Sequence, residues 1–266
     1  MSLFINVVKI GGAVIENQMA LDQFLDSYAS LDGPKLLVHG GGRSFNELAK
    51  KLSMTVNIVD GRRVTSKADL ELAMMVYRGK INVEIVSKLS ARDLPSVGLS
   101  GADANIILAK KRPAKSIDYG FVGDITKVNT PWILDMLFNW KLNPVICALA
   151  HNQKGQILNI NADTIACEMA SALGNEPELK RKHYKVRLIF SFEKKGVLDD
   201  SSNEDSLIKR IDKNRYQKLK QQKKISQGIL PKIHNAFQAI EHGVDSVIIG
   251  NLSEFLKTKK GTIINQ

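Results

Sequence analysis

The sequence predicts an α/β protein built on a largely parallel sheet with helices on both faces. Three observations carry this. Apolar β-type runs alternate with helical patterns along the 266 residues. Two of the runs, "PVICALA" and "DSVIIG", are continuously apolar, as strands buried on both faces are. Strands also run twice into glycines at the start of a helix, the place where open parallel sheets gather ligands.

In chain order, residues 3–10 read as a strand ending in "VVKIGG", with Lys9 just ahead of Gly11 and Gly12. Residues 35–38 form the next strand, which enters "HGGGR" and a helical pattern over 43–52. Helical patterns follow over 67–90 and 131–140, and a third strand over 143–149. The β-like "QILNI" then leads into a helix over 162–173, with Asn159 and Asn161 on one strand face and Asp163 at the helix start. "SALGNEPELKRKHYK" combines Gly and Pro punctuation with a charge run, which predicts a lobe boundary near residue 174: an N-terminal lobe of 1–173 and a C-terminal lobe of 174–266. Strands over 185–190 and 244–249, a helix over 232–242 and an exposed loop over 199–206 complete the pattern.

Cys147 and Cys167 both lie in apolar surroundings, which favours reduced buried thiols and suits the cytoplasm. No basic segment precedes the first apolar residues, and no apolar run approaches the ~18 residues a bilayer span needs, so neither a signal peptide nor a membrane partner is expected. The net charge of +11 is concentrated in residues 180–224, which hold 15 Lys and Arg against 6 Asp and Glu. That stretch reads as a solvated helix face, as a lobe receiving a polyanionic nucleotide, or as a nucleic-acid surface. Nucleic-acid binding is the least favoured, because only Tyr184, Phe190, Phe192 and Tyr216 are interleaved with the basic residues.

Gly40, Gly41 and Gly42, ahead of a helix, would let backbone N–H groups face an anion, and Gly11 and Gly12 would do the same beside the Lys9 ammonium. A tight turn needed only for packing explains a glycine run equally well. Neither stretch has the P-loop or dinucleotide spacing. Asp163, taken alone, reads equally as a carboxylate stabilised by a helix dipole. Lys232, in "GILPKI", follows Pro231 in the first turn of a helix and opposes that dipole. Residues that break a local rule are more often functional than average.

"VKIGG", "VHGGGR", "GRRVT", "VGLSGAD", "PVICALA", "NINAD" and "GILPKI" together resemble the N-acetylglutamate kinase branch of the amino acid kinase family, across nearly the whole chain. The resemblance implies a three-layer α/β/α sandwich with a mainly parallel open sheet and two lobes. The N-terminal lobe would hold the acyl amino acid and the dimer contact, and the C-terminal lobe ATP. It further implies that Lys9 and Lys232 stabilise the phosphoryl group in flight and touch ATP, and that Asp163 orients both. Gly11 and Gly12 would approach the ATP phosphates, Gly41 and Gly42 the γ-phosphate and the acyl amino acid. Arg63 would clamp a substrate carboxylate, which its planar fork suits, and Asn159 would hydrogen-bond the same substrate.

The reaction implied is ATP plus N-acetyl-L-glutamate giving ADP and the γ-glutamyl phosphate, with Mg2+ accompanying ATP and no metal-ligating side chains assigned. A glutamate γ-carboxylate, of pKa about 4.3, is already a nucleophile at neutral pH, so no general base is required. Kinases of N-succinylglutamate or of an aminoadipate derivative are the neighbouring readings. The family usually has Ser or Thr and Asp before a Gly-Val pair, but this chain reads "FSFEKKGV", so residues 191–195 receive no role. A homodimer is implied. The first strand begins at Leu3, leaving no room for the extra N-terminal helix of arginine-inhibited hexameric members, so insensitivity to arginine is expected.

Overall fold

The computed structural model describes residues 3–59, 62–114, 116–200, 203, 205–221 and 229–264. They fall into two compact units, Met1–Leu36 with Ala166–Gln266, and Leu37–Ile165. The chain start groups with the C-terminal part because strand Leu3–Ile10 pairs in parallel with Tyr184–Ser191 along its whole length, from Leu3 opposite Tyr184 to Ile10 opposite Ser191. The punctuation at residue 174 is the end of helix Ala162–Gly174. A side chain at Gly174 would collide with the Gly243 carbonyl, so a glycine is what lets these two turns touch.

In the first unit the strand order is Arg210–Ile211, Thr262–Ile264, Ser246–Ile249, Tyr184–Ser191, Leu3–Ile10. All pairings are parallel except that of Ser246–Ile249 with Thr262–Ile264. Ile5, Val7, Val8 and Ile10 are buried together with Leu188, Ile189, Phe190 and Val247. Helix Gln18–Ala29 buries Leu21, Phe24, Leu25 and Tyr28, and helix Leu230–Glu241 buries Ile233, Ala236, Phe237 and Ile240. Val247, Ile248 and Ile249 of the continuously apolar run "DSVIIG" are all buried, as a strand covered on both faces requires. The exposed loop expected over 199–206 falls partly outside the described residues, as do the first residues of "SQGILPKI".

In the second unit residues 37–39 of strand Lys35–His39 run parallel with Asn143–Cys147 and Ser96–Leu99, with Asn143–Cys147 in the middle. A smaller sheet orders Ile157–Asn159, Leu149–His151, Ile107–Lys111 and Gly123–Val128. The run expected as one strand over 143–149 is therefore two, broken at Ala148, whose carbonyl accepts the Ile160 N–H at 3.1 Å. The helix expected over 67–90 is continuous but not uniform: Lys67–Ala73 is α, Met74–Asn82 is π and Val83–Ser90 is α again. Its start is set by a capping box between Ser66 and Asp69. Asn161 is not on the strand face with Asn159. Its side chain accepts the Thr164 N–H at 3.1 Å and caps helix Ala162–Gly174, the ordinary use of an Asn before a helix.

The mixed α/β architecture with mainly parallel strands is the one the alternation predicts. Neither cysteine is in a disulfide, and burial pushes the Cys147 thiol up to about 12. Among the described residues no helix is long and apolar enough to cross a membrane.

Candidate active site

Strand Lys35–His39 is buried at every position and delivers the chain into Gly40, Gly41 and helix Gly42–Lys51. The three glycines differ in why they lack a side chain. A methyl at Gly41 would lie 2.5 Å from Tyr77 Cδ1 and 2.6 Å from Ile81 Cδ1, both on the π-helix, so packing alone demands glycine there. A methyl at Gly40 would make an ordinary 3.6 Å contact with the Ala162 Cβ. At Gly42 it would meet nothing within 4 Å, so the glycine-loop surface is open at that point. The contact from Gly40 to Ala162 also puts the start of the helix that carries Asp163 beside the glycine loop.

Arg63 ends the short hairpin Ile58–Val59 with Arg62–Arg63. Its guanidinium lies 3.8 Å from the Phe45 ring centroid, and Nη2 donates to Asn46 Oδ1 at 2.6 Å and to the Gly42 carbonyl at 3.3 Å. Nη1 is buried with no hydrogen-bond partner. An arginine stacked on an aromatic face and anchored by one nitrogen has a fixed planar fork that can meet a carboxylate. Asn159, on Ile157–Asn159, donates from Nδ2 to the Thr65 hydroxyl at 3.0 Å, and the Asn159 N–H donates to the Phe121 carbonyl at 2.9 Å. Gly41, Gly42, Arg63, Asn159 and Asp163 all belong to the second unit.

Lys9, Gly11, Gly12 and Lys232 belong to the first. Lys9 is in register with Phe190 of the neighbouring parallel strand, so the two side chains share a sheet face. The Lys232 ammonium, from the first turn of Leu230–Glu241, is 5.9 Å from the same Phe190 ring centroid. Both lysines are thus brought to the Phe190 face by different elements. The Gly11 N–H donates to the Ser191 carbonyl at 2.8 Å, and a methyl there would be 3.4 Å from Phe192 Cβ. The Gly11 N–H is therefore committed to the neighbouring strand, while Gly12 opens helix Gly12–Glu16. In the segment without an assigned role, Ser191 also accepts the Leu252 N–H on its hydroxyl at 3.2 Å, a structural task. Among the described residues no group of three His, Cys, Asp or Glu could hold a metal on its own.

Sequence reading passed over His39, Tyr77 and Asn82. The signal for His39 was available: it is the final residue of an otherwise apolar, fully buried strand end. It makes contact with Asn82, whose side chain is also fully buried.

The sequence profile of the amino acid kinase family matches residues 5–251. Over 256 residues the chain is 43% identical to the acetylglutamate kinase of Parabacteroides distasonis, covering 96% of this chain and 97% of that one. Over 244 residues it is 46% identical to the acetylglutamate kinase of Cytophaga hutchinsonii, covering 91% and 89%. Among solved structures, the smu.665 protein of Streptococcus mutans UA159 is similar with a TM-score of 0.79 and 27% identity over 98% of both chains. Carbamate kinase from Giardia lamblia bound to AMP-PNP shares the fold at a TM-score of 0.67, with 12% identity over 100% of this chain and 99% of that one. The glycine turns after parallel strands, the two lysines and the matched span have one common account, and this chain belongs to the amino acid kinase family.

Proposed function

We propose that this protein transfers the γ-phosphoryl group of ATP, taken as its Mg2+ complex, to the γ-carboxylate of N-acetyl-L-glutamate, an early step of arginine synthesis. The observation that carries the reading is the near full-length identity of 43% and 46% to acetylglutamate kinases. The buried Arg63 Nη1, still without a partner beside the open Gly42, supports it from the chemistry of the site. In the reaction a carboxylate oxygen attacks the γ-phosphorus, the bond to the bridging oxygen of the β-phosphate breaks, and ADP leaves. No proton has to move. The task left to the protein is to bring two anions together and neutralise the charge that spreads over the transferred group.

In this reading Arg63 binds a substrate carboxylate and Asn159 hydrogen-bonds the acyl amino acid. Gly41 and Gly42 approach it with backbone alone. Lys9 and Lys232 stabilise the phosphoryl group, Gly11 and Gly12 approach the ATP phosphates, and Asp163 supplies the carboxylate that orients the lysines. Apart from Lys9, Gly11 and Gly12, which group with the C-terminal unit, residues 1–173 serve the acyl amino acid and a homodimer contact, and residues 174–266 the nucleotide, in a cytoplasmic enzyme. Mg2+ prefers phosphate oxygens, water and one or two carboxylates to a dedicated protein cage, which is compatible with the lack of a three-ligand cluster among the described residues.

Hydroxylamine trapping tests the reaction class. An acyl phosphate gives a hydroxamate only when ATP and N-acetyl-L-glutamate are both present. ADP formed without hydroxamate would overturn the reading.

A further inference from the structure

His39 and Asn82 are both fully buried, and neither belongs to the set of residues assigned above. Asn82 ends the π-helix, and each of its amide atoms is committed. Nδ2 donates to the Val145 carbonyl at 2.9 Å and lies 2.9 Å from His39 Nε2, while Oδ1 accepts from Arg78 Nη1 at 3.2 Å. A carbonyl can only accept and a guanidinium can only donate, so the amide cannot be flipped. The nitrogen that meets the imidazole is a donor, which makes Nε2 the acceptor and puts the ring proton on Nδ1. Nδ1 lies 2.8 Å from the Gly40 carbonyl. The Nδ1–H therefore donates to that oxygen.

The peptide between Gly40 and Gly41 is planar and trans, so its N–H points opposite to its carbonyl. Turning the Gly40 oxygen onto the buried imidazole directs the Gly41 N–H away from it. Gly41 itself is wedged by Tyr77 and Ile81 of the same π-helix. Arg78 continues the network to Asp103 at 3.7 Å, whose Oδ2 accepts from the Ser100 N–H at 2.6 Å and hydroxyl at 2.8 Å. Gly98 lacks a side chain where the Asn82 amide oxygen would block one. The Arg78–Asp103 end of the network is part-exposed, whereas His39 and Asn82 are fully buried, and a buried polar pair this fully satisfied fixes one geometry.

We propose that His39 is a positioning residue: locked in its Nδ1–H tautomer by Asn82, it aims the Gly41 N–H at the anionic centre of the phosphoryl-transfer site. This rests on the function proposed above, and the experiment separates the two. Asn carries an amide nitrogen at the position of Nδ1 and keeps the donor to Gly40, whereas Gln reaches only the position of Nε2. His39→Asn should hold kcat within about threefold of the parent chain, and His39→Gln should lower it roughly 10- to 100-fold, the scale of a slightly misplaced reacting group. The KM for ATP should stay nearly constant in both, with melting temperatures recorded alongside. Equal kcat for the two variants, or losses that follow melting temperature alone, would overturn the proposal. Nitrogen NMR of the uniformly labelled parent chain, with the His39 ring assigned by through-bond correlation to its own backbone, should show Nδ1 protonated and Nε2 bare at neutral pH. The opposite tautomer overturns the proposal whatever the kinetics, and in particular if a variant does not fold. A parent chain inactive on every acylated amino acid would instead sink the proposed function, while the spectrum would still decide the tautomer.

Discussion

A methyl group at Gly41 would run into Tyr77 and Ile81, whereas one at Gly42 would meet nothing within 4 Å. Gly41→Ala should therefore cost about 1–3 kcal/mol of stability, the usual penalty for forcing atoms into a packed interior. Gly42→Ala should leave stability unchanged or slightly raised, since alanine suits a helix start better, yet lower activity because the methyl occupies the open surface of the proposed site. Urea unfolding beside an activity assay reads both. Arg63 tests a different link. It is anchored by Asn46 and Phe45 through groups that do not need substrate. Arg63→Ala should raise KM for the acyl amino acid with little change in KM for ATP, as expected when a ground-state binding group is lost. Lys232 sits in the first helical turn, where its charge opposes the dipole. Lys232→Ala should lower kcat by roughly 100-fold, the scale of losing one preorganised electrostatic partner, with no loss of melting temperature. An unchanged kcat would reassign it to helix structure.

The long helix over residues 67–90 shows what pattern reading catches and what it misses. Apolar spacing located the whole length but not the π stretch Met74–Asn82 inside it, because a wider turn changes the phase of the pattern without removing it. The phase matters here. Tyr77, Ile81 and Asn82 reach the glycine loop and His39 only with the register that the π turns set. Removing exposed Gly79, which has no neighbour within 4 Å for a side chain to strike, would take Ile81 and Asn82 out of that register with Tyr77. That deletion should cost several kcal/mol through orphaned His39 and Asn82 groups, on the order of 1–3 kcal/mol each, and circular dichroism melts would read the loss. Strands Ile107–Lys111 and Gly123–Val128 were illegible for another reason. Their lysines and short apolar content give no clean alternation, and they exist because each completes the other's hydrogen bonds. The first strand, by contrast, was read to both ends, since its burial and its pairing agree. The glycine turns, Lys9 and Arg63 could be placed from sequence because they stand at or near strand ends, and Lys232 because it follows a proline at a helix start. The His39 network was not, because its meaning lies in contacts between residues 43 positions apart.

For the molecule as a whole, buried His39 sets a limit on acid stability. Burial, helped by the Arg78 charge and opposed by the bond to Gly40, lowers its pKa from 6.5 to about 4. The unfolded chain takes up this proton near pH 6.5 and the folded one only near pH 4. The stabilisation tied to neutral His39 is thus complete above pH 6.5 and is lost progressively as pH falls toward 4, amounting to about 3 kcal/mol. His39→Asn should flatten that part of the pH dependence in denaturant unfolding. The net charge of +11 favours approach of two polyanionic substrates, so kcat/KM should fall as salt rises. In the proposed function, specificity rests on a neutral amide where free glutamate carries an ammonium. The most direct measurement is a coupled ADP-release assay comparing kcat/KM for N-acetyl-L-glutamate, N-succinyl-L-glutamate and L-glutamate at fixed Mg-ATP. The predicted result is turnover of N-acetyl-L-glutamate in preference to the succinyl compound and far above free glutamate. A folded protein that phosphorylates free glutamate at least as well as either acylated form would contradict the account.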